Sequence, residues 1–157
     1  PACDVSLYNG LVGARLSVQS ANTFAQAIGY PCSPIDELLV FHRVFGKTVP
    51  DISLNAVANL GYADCRFLKA VYPGDTLNAV SEVIGLKENS NRKTGIVYVR
   101  SRGFDQDGDI VLEYVRWAMV RKRHEAAPAP AEKVPVLPKS VAVATVGAPG
   151  PRNVGKA

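Results

Sequence analysis

The chain has 157 residues, of which 47% are hydrophobic, 20% charged and 8% aromatic, the balance of one ordinary globular domain. That balance excludes a collagen and a disulfide miniprotein, and its longest apolar runs, such as Ile110-Val111-Leu112, fall far below the roughly 20 residues a bilayer-crossing helix needs. The net charge is +4, and six of the eleven prolines lie in the last 34 residues, so length overstates the folded part.

The three cysteines, Cys3, Cys32 and Cys65, are odd in number and widely spaced. They form no Cys-x-x-Cys pair and have no neighbouring histidine to complete a zinc site, which predicts reduced thiols in a cytoplasmic protein that holds no metal. No secretory signal is visible. The only histidines are His42 and His124, so imidazole chemistry within the domain rests on His42.

In chain order, Asp4 to Val12 places Val5, Tyr8, Leu11 and Val12 on one helical face. A second short helix fits Asn22 to Ile28, with Asn22 as N-cap, Gly29 as stop and Pro31 beyond. A third begins after Ser33-Pro34, with serine as cap and Asp36 and Glu37 complementing the helix dipole. It carries Leu38, Leu39, Phe41, Val44 and Phe45, apolar nearly all round, so burial on more than one side is expected, with Gly46 as its end.

After Pro50 the period becomes strand-like. Asn55 to Leu68 reads as a long strand with an irregularity at Gly61, and Tyr72-Pro73-Gly74-Asp75 as a turn. Thr76 to Leu86 is a second strand, followed by a polar hairpin loop over residues 88–95. Ile96 to Phe104 and Asp109 to Arg121 follow, joined by a turn whose Asp107-Gly108 favours tight reversal. Helices first and antiparallel strands afterwards give an α+β layout, one buried helix under a curved sheet.

From His124 onward, proline removes backbone donors while alanine and glycine offer little to bury, which describes a semi-extended linker over residues 124–157. A linker and the absent initiator methionine together predict a piece of a longer protein. Setting that tail aside also weakens the basic character. Residues 1–123 hold fourteen Lys or Arg against twelve Asp or Glu, a net +2, and the aromatic residues do not cluster with the basic ones, which argues against nucleic acid as a partner.

A long apolar helix wrapped by such a sheet, with Val71-Tyr72-Pro73-Gly74-Asp75-Thr76-Leu77 leading into a long strand, resembles the hot-dog fold of the MaoC-like enoyl-CoA hydratases over residues 4 to 123. The stretch from Leu38 to Asp75 is more narrowly similar to the N-terminal half of the mesaconyl-CoA hydratases, also called β-methylmalyl-CoA dehydratases. The resemblance implies two fused hot-dog domains: one here at 1–123, and a second beyond the 124–157 linker and absent from this chain. It also implies that the first strand, normally ahead of Asp4, is missing, leaving a sheet edge open. The implied reaction is reversible hydration of mesaconyl-CoA (2-methylfumaryl-CoA) to β-methylmalyl-CoA, a lyase reaction with no cofactor besides the coenzyme A of the substrate. The implied partners are the enoyl-CoA thioester, a second hot-dog domain or subunit, and a further copy of the chain in a homo-oligomer, with no membrane.

In that family an aspartate and a histidine in a Gly-Asp-x-Asn-Pro-x-His pattern share the water, and a helix N-terminus stabilises the enolate-like oxygen. Laid on this chain at Gly13, the pattern puts Ala14 at the aspartate, Leu16 at the asparagine, Ser17 at the proline and Gln19 at the histidine. Neither methyl nor carboxamide takes a proton, so the resemblance implies no catalytic residue in this half and the dyad in the other. The histidine-glycine expected at the start of the central helix is replaced by Ile35-Asp36-Glu37-Leu38. Asp36 or Glu37 with His42 is an alternative acid-base pair, but an offset of five or six positions turns the imidazole away from both, and a hydrogen-bonded core or cleft histidine is the plainer reading.

Coenzyme A carries phosphates and an adenine, so a basic edge beside an apolar slot suits its recognition. His42, Arg43 and Lys47 with the following segment to Asn55 form the densest polar cluster beside the helix. Lys47 or Arg43 is a candidate for a phosphate, and Asn55 for a pantetheine amide or a substrate carboxylate. Arg92 and Lys93 in the hairpin are candidates for an anionic group. Arg116, Arg121, Lys122 and Arg123 read as ordinary surface charge, Arg116 because it alternates with Val115 and Trp117 as on a solvated sheet face. The competing class is a non-catalytic acyl-CoA-binding or scaffold module that pairs with a separate catalytic subunit.

Overall fold

A computed structural model describes residues 2–13 and 16–138, which divide between two compact units. The first contains α1 (Ala2–Val12), a 3-10 turn over Ser17–Gln19, α2 (Asn22–Ala27) and the Tyr72–Gly74 turn. Gly13 closes α1 with φ +81°, its N–H donating to the Asn9 carbonyl at 2.9 Å. No residue of α1 is buried, and Leu11, on the apolar face read from the sequence, is 78% exposed. In α2 the cap position falls to Ala21, which makes no side-chain bond. Asn22 is therefore not the N-cap: its Oδ1 accepts the Ser33 N–H at 2.9 Å and ties the following loop back to the helix. Gly29, at φ +95°, ends the turn as its sequence position suggests.

The second unit contains α3 (Glu37–Ile52) and a four-stranded antiparallel sheet of β1 (Ala56–Phe67), β2 (Asn78–Glu88), β3 (Thr94–Phe104) and β4 (Ile110–Arg121). The strand order is β1-β4-β3-β2. Helix α3 runs through Gly46 instead of stopping there. An interior glycine costs a helix about 1 kcal/mol, and the burial of Val44 and Thr48 on either side of it outweighs that. Pro50 lies in the last turn, where its missing N–H forfeits one bond, to the Gly46 carbonyl. Only one stripe of the helix is buried, Val40, Val44 and Thr48 at i, i+4 and i+8, so among the described residues it is not buried on several sides.

That stripe lies on the sheet. Gly103 of β3 takes the Val44 side chain against its backbone, and Phe41 packs on Tyr114 of β4 with ring centroids 5.2 Å apart. The central strand β4 is buried on both faces: Leu112, Tyr114, Arg116 and Ala118 in one phase, Val111 and Val115 in the other. Strand β1 is irregular, with three register shifts against β4. At Gly61 the Trp117 ring occupies the place of a side chain, so only glycine fits.

The opposite edge, β2, is not wholly open. Leu86 and Lys133 exchange both backbone hydrogen bonds, at 2.8 and 2.9 Å, and Lys87 pairs with Glu132 at 3.4 Å. The Lys133 carbonyl and Pro135 lie so close over Gly85 that a Cβ there has no room. Thus residues 132–135 of the proline-rich segment are held on the sheet edge. The three cysteines are free. Among the described residues no helix is long and apolar enough to cross a membrane, and no group of three or more His, Cys, Asp or Glu is placed to hold a metal ion.

Candidate functional site

Of the positions that correspond to the family's dyad pattern, Ala14 lies outside the described residues. Leu16 is exposed, and Ser17 begins the 3-10 turn that ends at Gln19. Gln19 is 9% exposed, and its Oε1 has no hydrogen-bond partner among the described residues. A carboxamide at this place accepts and donates hydrogen bonds but exchanges no proton at neutral pH.

His42, Arg43 and Lys47 are all on the exposed side of α3. His42 is thus not the core or cleft histidine expected; its ring lies edge-on to Phe41 at 5.8 Å. Glu37, at the helix start, is five residues away, a rotation of about 140°, so the helix gives this pair no acid-base geometry. Arg43 and Lys47 are one turn apart and share a stripe.

Topology brings the remaining candidates to one end of the sheet. Ala56 pairs with Val120 at the start of β1, and Thr94 pairs with Arg121 at the start of β3. Asn55 therefore lies at the same end as the Arg92–Lys93 hairpin, two strand spacings or about 10 Å across. Asn55, Arg92 and Lys93 are exposed, Arg92 with φ +55° at the hairpin tip. Arg121 and Arg123 are exposed there too. Lys122 is engaged, donating to Glu88 at 2.6 Å and to the Ala127 carbonyl at 2.7 Å. A cavity of 130 Å³ opens at this end, lined by Leu86, Ile96, Val97, Val120, Lys122 and Pro130 among others. Small-molecule pockets run to about 300 Å³ and more, so this one admits part of a ligand and not a whole coenzyme.

The largest departure from the sequence reading is Arg116. It is 1% exposed, on the inner face of β4 beneath α3, and is not surface charge. One terminal nitrogen donates to the Thr48 carbonyl at 3.2 Å and to Thr48 Oγ1 at 3.1 Å, and the other to Ser53 Oγ at 3.2 Å. Its guanidinium carbon stands 4.6 Å above the centre of the Phe45 ring. Nε is buried without a partner, and no carboxylate pairs with the group among the described residues. Burial pushes its pKa down, and the neighbouring Tyr114 and Tyr62 oppose that. The signal was in the sequence: Arg116 shares its strand phase with Leu112, Tyr114 and Ala118.

A second cluster missed from the sequence has a structural part. Lys69 donates to Asp105 at 2.6 Å and to Asp109 at 2.7 Å, while Asp105 Oδ1 accepts the Asp107 and Asp109 N–H groups at 3.0 Å each. Bonds to Lys69 hold the Asp105 carboxyl below the usual carboxylate range and raise the lysine. The arrangement fixes the β3–β4 turn and joins it to the segment after β1.

The profile of the mesaconyl-CoA hydratase family matches residues 19–136. The chain is 62% identical over 144 residues to a mesaconyl-CoA hydratase of Cereibacter sphaeroides, covering 92% of this chain and 42% of that protein. A crystal structure of a MaoC-domain dehydratase from Chloroflexus aurantiacus superposes with a TM-score of 0.86 at 60% identity, over 90% of this chain and 40% of the other. A Mycobacterium tuberculosis protein with a double hot-dog fold superposes at 0.68 and 27% identity, over 94% of this chain and 44% of that one. The chain thus spans less than half the length of these relatives. With a hot-dog arrangement of one helix on an antiparallel sheet and a matched segment that runs from Gln19 to beyond β4, this chain belongs to the mesaconyl-CoA hydratase family.

Proposed function

We propose that this chain is the N-terminal half of a double hot-dog hydratase. The complete protein would catalyse reversible hydration of mesaconyl-CoA to β-methylmalyl-CoA in the cytoplasm. The observation that carries this reading is the 62% identity maintained over 92% of the chain against less than half of a mesaconyl-CoA hydratase. In the reaction, water oxygen bonds to the alkene carbon beside the free carboxylate. A proton is delivered to the methyl-bearing carbon, and the electron pair passes transiently to the thioester oxygen. Those transfers need an acid-base pair within hydrogen-bond reach of one water.

On this reading the half supplies no such pair, since the family's pattern laid on the sequence at Gly13 puts Gln19 at the histidine. Its part is to complete the pocket and bind coenzyme A, with the dyad in the second hot-dog domain. Arg43, Lys47, Arg92 and Lys93 are the phosphate-facing cations, and His42 and Asn55 are polar contacts along the same route. No metal or redox cofactor takes part in this scheme, and two complete proteins pair as a homo-oligomer.

The test is an assay of the complete gene product against a panel of enoyl-CoA esters, following loss of the conjugated thioester. Hydration of mesaconyl-CoA ahead of unbranched monocarboxylic esters is the expected result. Complete protein that leaves every ester unchanged would favour a scaffold module instead.

A further inference from the structure

A buried cation normally has a counter-ion, because removing both solvent and partner from a charge is strongly unfavourable. Among the described residues Arg116 has only neutral partners, Thr48 and Ser53 at 3.1 to 3.2 Å and the Tyr62 side chain, and its buried Nε–H meets no acceptor. The C-terminal turns of α3 offer partial negative charge through the Thr48 carbonyl, which is less than one full charge. Phe45 beneath the guanidinium holds the plane in place, as a receptor for a planar anion requires.

The group is also close to the surface. Ser53, which it bonds, is half-buried at the end of α3, and Tyr62, directly opposite Arg116 in the β1–β4 register, is 46% exposed. Asn55 lies two residues beyond Ser53. A carboxylate that entered beside Ser53 would compete with the hydroxyl contacts for the guanidinium.

We infer that Arg116 is the counter-ion for the free carboxylate of a dicarboxylic acyl thioester, and so sets the choice of dicarboxylic over monocarboxylic substrates. This rests on the function proposed above. Pairing with arginine would also withdraw the carboxylate's negative charge from the neighbouring alkene carbon, the atom that water attacks.

The test is made in the complete protein with Arg116→Met, which keeps an unbranched apolar stem and removes the guanidinium and its charge. The expected result is a fall in kcat/KM for mesaconyl-CoA of at least about 30-fold, with crotonyl-CoA, which has no free carboxylate, changed less than about threefold. An equal fall on both esters, or none on either, overturns the assignment while leaving the hydratase reading in place. Wild-type protein that hydrates crotonyl-CoA but not mesaconyl-CoA overturns the functional reading itself, and this inference with it.

Should the variant fail to fold, the wild-type arginine Nε–H resonance decides. A shift on adding mesaconyl-CoA and none with crotonyl-CoA supports the pairing, and no shift with either refutes it. A carboxylate from the second domain already on Arg116 would appear as a downfield Nε–H in the ligand-free complete protein, unmoved by either ester, and would equally refute it.

Discussion

Replacing Gly103 by alanine sets a methyl group where α3 already presses on the sheet. The new Cβ would stand 2.6 Å from Val44 Cγ2 and 3.1 Å from Cγ1, against an ordinary carbon contact of about 3.5 to 4.0 Å. Val44 is fully buried at the centre of the stripe Val40, Val44 and Thr48, and a β-branched residue in a helix has one strongly preferred rotamer, so it has little room to turn aside. The helix must lift by roughly 1 Å, and overpacking of this kind costs about 1–3 kcal/mol. Alanine recovers about 0.5–1 kcal/mol of the backbone entropy a strand glycine loses. A net loss of about 1–2 kcal/mol follows, or about 2–8 °C in Tm for a domain of this size. Urea unfolding followed by fluorescence of Trp117, the single tryptophan, measures it. Val44→Ala alone leaves a cavity and is also destabilising, but the methyl group introduced by Gly103→Ala fills part of that space. The double variant should therefore be about 1 kcal/mol more stable than the sum of the single effects. A neutral Gly103→Ala, or strictly additive losses, would refute the account of how the helix seats on the sheet.

Two other predictions concern charge. Asp105→Asn loosens the β3–β4 turn. Because the carboxyl's folded pKa is held below its ordinary 3.8, its contribution is present above that value and vanishes as pH falls through the folded pKa. Wild type should then exceed the variant in urea midpoint at pH 7, and the two curves should converge in the acid range below 3.8; a gap that widens there contradicts the ion-pair account. Lys69, raised above 10.5, loses its share only in strong alkali. At the hairpin, Arg92→Gln or Lys93→Gln in the complete protein should raise KM for the CoA ester about two- to fivefold with kcat unchanged, as suits an exposed cation near a phosphate. If the proposed phosphate contact holds, the effect shrinks as salt is added, and initial-rate kinetics at two ionic strengths checks it.

The element order and the α+β layout were legible because a helical period gives way to a period of two once along this chain, after Pro50. What escaped was set by tertiary context. Gly46 reads as a stop, yet Val44 and Thr48 are buried on either side of it and carry the helix six residues further. Asn22 reads as a cap, yet its oxygen is claimed by Ser33. Arg116 reads as solvent-facing because alternation reveals that two faces differ without saying which is wet, and in a central strand neither is. His42 reads as a core or cleft residue because its neighbours are apolar, but the helix leaves it exposed in this chain. The basic candidates converge on one sheet end only once the strand order is known, since two strands lie between Asn55 and Arg92 in sequence but across the sheet only β4 separates β1 from β3.

The central claim is that this half shapes and binds while the other half transfers protons. The direct measurement compares mesaconyl-CoA hydration by the 157-residue chain alone with hydration by the complete gene product at equal active concentration. The account predicts turnover by the complete protein and none above buffer by the chain alone. Turnover by the chain alone, abolished by His42→Ala, would contradict it.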